Sequence, residues 1–382
     1  LTKIKVYHFN NGGGGGVLSV TRNLLKYATH PSIEHHIIYT VNKDIVKEYT
    51  VNTIEGAASE TVFYYSPRWN FYHTCRQLSK LLPGEKALII ANDWLELGMA
   101  SNLGLQNKVI QIVHGDYGYY YELAKKHADA IDGYITVAAS ISNQLQLMLP
   151  GRKKDIQCLY FPVPDSSCNG NGKDAGSIIF IGRCTEGKGY DLLPAIAAAL
   201  AAKSINLQWH IAGEAADMEQ YPWPSSVNVV FHGLLPNAEV NKLLCRMDLF
   251  ILPSLAEGMP VSLIESMKAG AIPIMNNLPG GIQELIKDGS TGFLSQHNTV
   301  DEYVQIIEQI INDDRKQQVR NNCTALANEK FNPLINTRLY EAFFEKVVML
   351  PASVKPAKKV YGSRLDQNWL PNMVTKSIRS LQ

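Results

Sequence analysis

A chain of 382 residues is longer than one hydrophobic core sustains, and its 46% hydrophobic content is enough for two, so two domains are expected. With 36 Lys and Arg against 35 Asp and Glu, the formal charge of +1 excludes the strongly basic balance of a nucleic-acid binder, and no nucleic-acid partner is expected. The six cysteines show no C-x-x-C pair and no zinc spacing, no apolar run reaches a membrane span, and the chain opens into a strand without a signal-peptide pattern. Buried thiols and a cytoplasmic setting follow as expectations.

Short apolar runs alternate with longer amphipathic ones from end to end, the pattern of βα units and parallel sheets. The first predicted strand, over residues 4–9, runs into Gly12–Gly16 and then a helix over 18–27. Glycine there lets backbone approach a ligand, and the helix N-terminus favours an anion, but a plain flexible turn reads as well. Strands are then predicted over 36–40, 62–65, 87–91, 109–114, 134–137 and 156–160, with helices over 71–82 and 141–149. A dinucleotide-binding dehydrogenase would need an acidic residue after the second strand, where Tyr39-Thr40-Val41-Asn42-Lys43 has none.

Residues 165–176 are polar, glycine-rich and without periodicity, so they read as a linker between domains. The strand pattern restarts at Ser177, with further strands over 207–212, 227–232, 249–252 and 272–275. Helices are predicted over 191–202, 238–245, 263–269, 300–311, 314–330, 333–348 and 371–381. The expected domains are residues 1–164, 177–350, and a C-terminal extension over 351–382.

Four groups of residues carry candidate chemistry. Arg183 and Lys188 sit on a glycine-bracketed loop after the first strand of the second domain. An arginine fork and a mobile lysine there suit a diphosphate, whereas either alone reads as a solvated charge. Glu257 and Glu265 flank seven residues at a strand–helix junction, where helix-dipole carboxylates are ordinary but hydroxyl recognition is also possible chemistry. A glycosidase pair would flank the scissile bond from separate elements instead. His114 ends a strand and is followed by Gly115-Asp116; most such histidines are structural. Asn92-Asp93 reads first as a helix cap.

These residues together resemble the family 4 retaining glycosyltransferases of the GT-B fold. The family's E-x7-E motif is matched by Glu257 and Glu265, and its basic pair by Arg183 and Lys188 in Gly-Arg-x4-Lys-Gly. Its N-terminal glycine pair is matched by Gly15-Gly16, and its histidine by His114. The resemblance implies two Rossmann-like α/β domains facing a shared cleft, with a C-terminal helix crossing back to the first. It implies Arg183 and Lys188 on the donor diphosphate, Glu265 on the ribose and Glu257 on the donor sugar. The backbone N–H groups of Gly258, Met259, Pro260 and Val261 would meet sugar and phosphate, His114 the sugar from the first domain, and Gly15 and Gly16 the diphosphate or acceptor. The implied reaction retains anomeric configuration and moves a sugar from a UDP- or GDP-linked donor to a glycan or lipid-linked glycan, in bacterial surface polysaccharide or lipopolysaccharide synthesis. No D-x-D sequence occurs, so no metal and no cofactor is expected. The alternatives are a nucleotide-sugar epimerase or hydrolase of the same fold, and a non-catalytic sugar-nucleotide binder. The basic last helix, carrying Met373, Val374, Ile378 and Leu381, is expected to pack on the first domain through Trp369-Leu370-Pro371, with peripheral contact at the inner membrane as the other reading.

Overall fold

Strands made almost wholly of Val, Ile and Leu are buried on both faces, and parallel sheets are where such strands occur. The computed structural model describes residues 3–12, 15–51, 53–84, 87–168, 172–214, 221–352 and 354–381. Residues 13 and 14 of the glycine run and 169–171 of the expected linker lie outside them. The chain divides into one unit of Leu1–Val137, Ile141–Pro162 and Leu334–Gln382, and a second of Ala138–Ser140 and Val163–Pro333.

In chain order the elements up to the boundary are β1 (Ile4–Asn11), α1 (Gly16–Lys26), β2 (Ile33–Asn42), β3 (Ala57–Tyr65), α2 (Phe71–Ser79) and β4 (Leu88–Ala91). They continue as α3 (Trp94–Leu103), β5 (Val109–Val113), α4 (Gly118–Lys126), β6 (Gly133–Thr136), α5 (Ala139–Met148) and β7 (Ile156–Cys158). The strands form one parallel sheet in the order β3-β2-β1-β4-β5-β6-β7. Strand order reverses between β1 and β4, which opens a crevice outside their carboxyl ends. α3 and α4 are additions to the sequence reading. α3 buries Leu95 through Ser101 without interruption, so its sequence carries no one-sided 3.6-residue stripe to detect.

The second unit holds β8 (Asp174–Ile181), α6 (Leu192–Ala202), β9 (Gln208–Ala212), β10 (Asn228–Gly233), α7 (Asn237–Arg246), β11 (Met247–Leu252) and α8 (Val261–Ala269). Then come β12 (Ile272–Asn276), α9 (Gly281–Leu285), β13 (Phe293–Ser295), α10 (Val300–Ile311) and α11 (Lys316–Lys330). Its parallel sheet runs β10-β9-β8-β11-β12-β13, with the reversal between β8 and β11. At the opposite, amino-terminal end of β11, buried Asp248 takes Lys316 at 2.5 Å and Arg320 at 2.6 Å, which holds α11 against the sheet. Those two cations keep its carboxyl below the usual range, although burial pushes the other way.

Three expectations are corrected. β8 begins at Asp174, inside the stretch read as linker. Cys168 and Cys245 form a disulfide, where free thiols were expected; Cys75, Cys184 and Cys323 are buried thiols and Cys158 a half-buried one. No short spacing announces a bridge that only the tertiary fold closes. Helix α12 (Pro333–Val348), read as part of the second domain, belongs with the first unit from Leu334 onward. Its Tyr340 hydroxyl donates to the Leu159 carbonyl at 3.3 Å, and Phe344 lies edge-on to His8 and His35. An apolar stripe tells that a helix is buried and not which core receives it.

The C-terminal extension over 351–382 also joins the first unit. Buried Lys355 donates to the carbonyls of Asn107 at 2.7 Å and Ala130 at 2.8 Å, and pairs with Asp132. Buried Asp366 accepts from the Phe71 and Ser363 N–H groups and from Arg379, each at 2.6 Å. Trp369, the expected anchor, is instead 73% exposed. Among the described residues no helix is long and apolar enough to cross a membrane.

Removing Asp248 would leave two cations without their shared partner. We expect Asp248→Ala to cost about 3 kcal/mol, read as a lower urea midpoint with an unchanged slope.

Candidate functional site

The reversal between β8 and β11 puts two loops side by side. The first leaves β8 through Gly182 and Arg183 and makes one turn of 3-10 helix, Glu186–Lys188, closed by Gly189. Gly189 holds φ at +70°, and a Cβ there would lie 2.2 Å from the Pro253 carbonyl oxygen, so only glycine lets the loops approach this closely. The Leu255 N–H donates to the Gly187 carbonyl at 3.1 Å and joins them further.

Across this seam Lys188 meets Glu257 at 2.6 Å. Glu257 is largely buried and also accepts from the Ser254 hydroxyl at 2.6 Å. Asn276, at the end of β12, donates to the Ser254 carbonyl at 2.9 Å and fixes that turn. Sequence reasoning treated Lys188 as free to meet phosphate, whereas here its charge is balanced by Glu257. Arg183 is exposed and has no acid partner among the described residues. The positive charge left over at this edge is therefore its own.

Glu257 leads into α8 through Gly258, Met259 and Pro260, with Pro260 at the N-cap and Val261 opening the helix. Of these four, Pro260 has no N–H and cannot donate, which corrects the expectation of donors at every position. First-turn N–H groups have no partner within a helix, so the N-terminal turn of α8 presents donors and the positive end of its dipole. The Gly258 carbonyl is turned inward and accepts from Gly281 N at 3.1 Å. Glu265 lies farther along α8, partly exposed, with no hydrogen bond or ion pair among the described residues. Burial alone pushes its carboxyl up to about 7. A desolvated carboxyl without a donor is ready to accept hydrogen bonds from hydroxyl groups.

The first unit has its own group of side chains at the carboxyl edge of its sheet. The Asn92 amide donates to the Phe9 carbonyl at 2.5 Å, which points its oxygen at His114 Nε2, 2.7 Å away. That arrangement makes Nε2 the donor and leaves Nδ1 as a lone-pair acceptor. Burial pulls the imidazole down to about 4, so His114 is neutral at ordinary pH. Asp93 caps α3 as the sequence indicated, and Glu96 completes the capping box. Gly15 caps α1 at φ +88° with open space around its Cβ position, and Gly16 begins the helix. Ser254 was the residue missed as a site support, since it carries no motif and acts only by orienting Glu257. Asn92, read first as part of a helix cap, orients His114 while Asp93 does the capping.

Residues 167–328 match the family model for glycosyl transferases group 1. The chain is 31% identical over 134 residues to the putative colanic acid biosynthesis glycosyltransferase WcaL of Salmonella typhimurium, covering 32% of each. It is 26% identical over 208 residues to the lipopolysaccharide 1,6-galactosyltransferase of the same organism, covering 51% of this chain and 57% of that one. The chain thus spans 57% or less of the length of these curated relatives. Among solved structures, Anabaena Alr3699/HepE in complex with UDP-glucose has a TM-score of 0.70 at 15% identity, over 90% of this chain and 99% of that one. The pneumococcal O-GlcNAc transferase GtfA in complex with UDP and GlcNAc has a TM-score of 0.65 at 13%, over 91% and 99%. At these identities the likeness establishes the fold, GT-B.

The Lys188–Glu257 pair should be measurable without any ligand. In a double-mutant cycle of Lys188→Met and Glu257→Gln, we expect a coupling of about 1–3 kcal/mol in urea unfolding. A coupling near zero would mean that the pair does not hold the seam.

Proposed function

Starting from a group 1 glycosyltransferase domain over residues 167–328, we propose that the chain is a retaining glycosyltransferase using a nucleotide-sugar donor. The acceptor is a glycan or lipid-linked glycan of a bacterial surface polysaccharide or lipopolysaccharide. The observation that carries this reading is a pair of unspent groups on the elements following β8 and β11. One is the unpaired Arg183 guanidinium and the other the unpartnered Glu265 carboxyl. A nucleoside diphosphate offers the complement to both, two ribose hydroxyls for Glu265 and phosphate oxygens for Arg183. The names of the relatives support the polysaccharide setting, and UDP in the structural neighbours favours a uridine donor over a guanosine one.

In this mechanism the donor diphosphate lies against Arg183 and the N-terminal turn of α8. Phosphate arriving there competes with Glu257 for Lys188, so Lys188 can stabilise charge that grows as the glycosidic bond breaks. Glu257, held by Ser254, accepts from a donor-sugar hydroxyl. The acceptor hydroxyl oxygen bonds to the anomeric carbon on the face the diphosphate leaves. Its proton passes to a leaving phosphate oxygen, so no side-chain nucleophile is required. His114 accepts from a sugar hydroxyl through Nδ1, and Gly15-Gly16 allow backbone to approach the diphosphate or acceptor. No metal or cofactor takes part, because Arg183 and Lys188 neutralise the leaving diphosphate; chelator should leave turnover unchanged.

Two measurements test the reading. Arg183→Ala should lower kcat/KM for acceptor-dependent transfer by well over about tenfold. Near-normal turnover would remove Arg183 from the mechanism. Free sugar released without acceptor would indicate a hydrolase, and a thermal shift with UDP but no turnover would indicate a binder.

The second test uses Glu265. Hydroxyl donors favour its ionised form, so binding should lower its pKa from about 7. A bound pKa below the free one means affinity that rises with pH up to about 7 and then levels. UDP affinity measured by calorimetry should therefore fall below neutrality, and Glu265→Gln should flatten that dependence. An unchanged slope in the variant would clear Glu265 of the ribose role.

A further inference from the structure

The C-terminal helix α13 (Asn372–Ser380) is attached to the first unit by its polar edge. Asn372 accepts from the Asn70 N–H at 2.8 Å, and the Thr375 hydroxyl donates to the Leu365 carbonyl at 3.0 Å. Arg379 reaches the carbonyls of Pro67 and Trp69 as well as Asp366. At 100° per residue these three positions share one side, and Val374, Ile378 and Leu381 fall on the other. That other side is left largely open to solvent: Leu381 is 89% exposed, Val374 41% and Ile378 39%, and Met373 at its margin and Trp369 just before the helix are 77% and 73% exposed. An amphipathic helix normally buries its apolar face and wets its polar one. Here the orientation is reversed, and the polar edge is held too firmly by Asp366 and Asn70 for the helix to turn over.

The segments fastened to one another along the polar edge carry charge of nearly one sign. The stretches that meet here, residues 66–82 and 354–381, contain nine Lys or Arg and a single acid, Asp366. Lys355, Lys358 and Arg379 are paired with acids. Arg68, Arg76, Lys80, Lys359, Arg364 and Lys376 are exposed and pair with none among the described residues.

We propose that this face of α13, with Trp369, docks the protein on an anionic lipid bilayer. Aliphatic side chains on one face, a tryptophan at the headgroup level and a surrounding basic field are the three contributions such binding draws on. A second copy of the chain suits the face less well, because a two-fold contact would set the same six cations against themselves. The inference goes beyond the transfer reaction and does not depend on it.

The test is flotation of the full chain with vesicles of phosphatidylglycerol and phosphatidylcholine, against phosphatidylcholine alone, with no donor or acceptor present. We expect binding to the anionic vesicles only, and weaker binding as salt is raised. Val374→Glu with Ile378→Glu should reduce binding by roughly tenfold or more at an unchanged melting temperature, since both side chains are exposed. Arg364→Glu with Lys376→Glu should weaken binding while leaving the apolar face intact. No binding, equal binding to neutral vesicles, or wild-type binding by both variants would overturn the proposal. So would a lipid-free dimer in sedimentation equilibrium that Val374→Glu with Ile378→Glu dissociates.

Discussion

Everything at the candidate site depends on β8 and β11 lying side by side. A parallel sheet built outward in both directions from its first strand must leave one place where successive connections depart to opposite sides. In the second unit that place is the β8–β11 seam, paired through Leu249 with Ile178 and Phe250 with Ile179. The loops after these strands therefore share an edge, although α6, β9, β10 and α7 separate them in sequence. Gly189 then permits the contact with Pro253, and the contact brings Lys188 to Glu257. Without the seam, the basic loop and the acidic loop would be unrelated features of one surface.

The distribution of charge across that edge follows from burial. Glu257 is largely withdrawn from water, and an isolated carboxylate there would be costly, so Lys188 and Ser254 neutralise and satisfy it. Arg183 can remain unpaired because it is exposed and water solvates its charge. Glu265 lies between these limits, and its carboxyl holds its proton nearly to neutrality instead of finding a cation. One edge thus contains a settled pair, a free cation and a carboxyl awaiting donors.

Much of this was legible in the sequence because parallel strands are short, apolar and regularly spaced. The strand over 249–252 and the helix opening near Leu263 could be read directly, and with them the junction that carries Glu257. The pairing of Lys188 with Glu257 could not be read, since it depends on strand order and not on any spacing. The same holds for the Cys168–Cys245 bridge and for α12, whose apolar stripe fits either core. α3 escaped for the opposite reason: nearly every side passes through the core, and a helix buried all round loses the period that reveals it. Trp369 misled because a large aromatic next to a proline resembles an anchor, while the actual fastening is done by Asp366, Asn70 and Arg379.

The fastening of the tail has a consequence for how the chain is made. The first sheet is synthesised first, yet the Phe71 N–H, the Asn70 side-chain N–H group and the carbonyls of Asn107 and Ala130 find the partners described above only in residues 355–370. Buried backbone groups do not remain unpaired in a finished core. The second unit, by contrast, is nearly continuous from Val163 to Pro333 and has all its own material before the tail leaves the ribosome. Order of synthesis and order of completion are therefore inverted: the half that emerges first is the half that closes last.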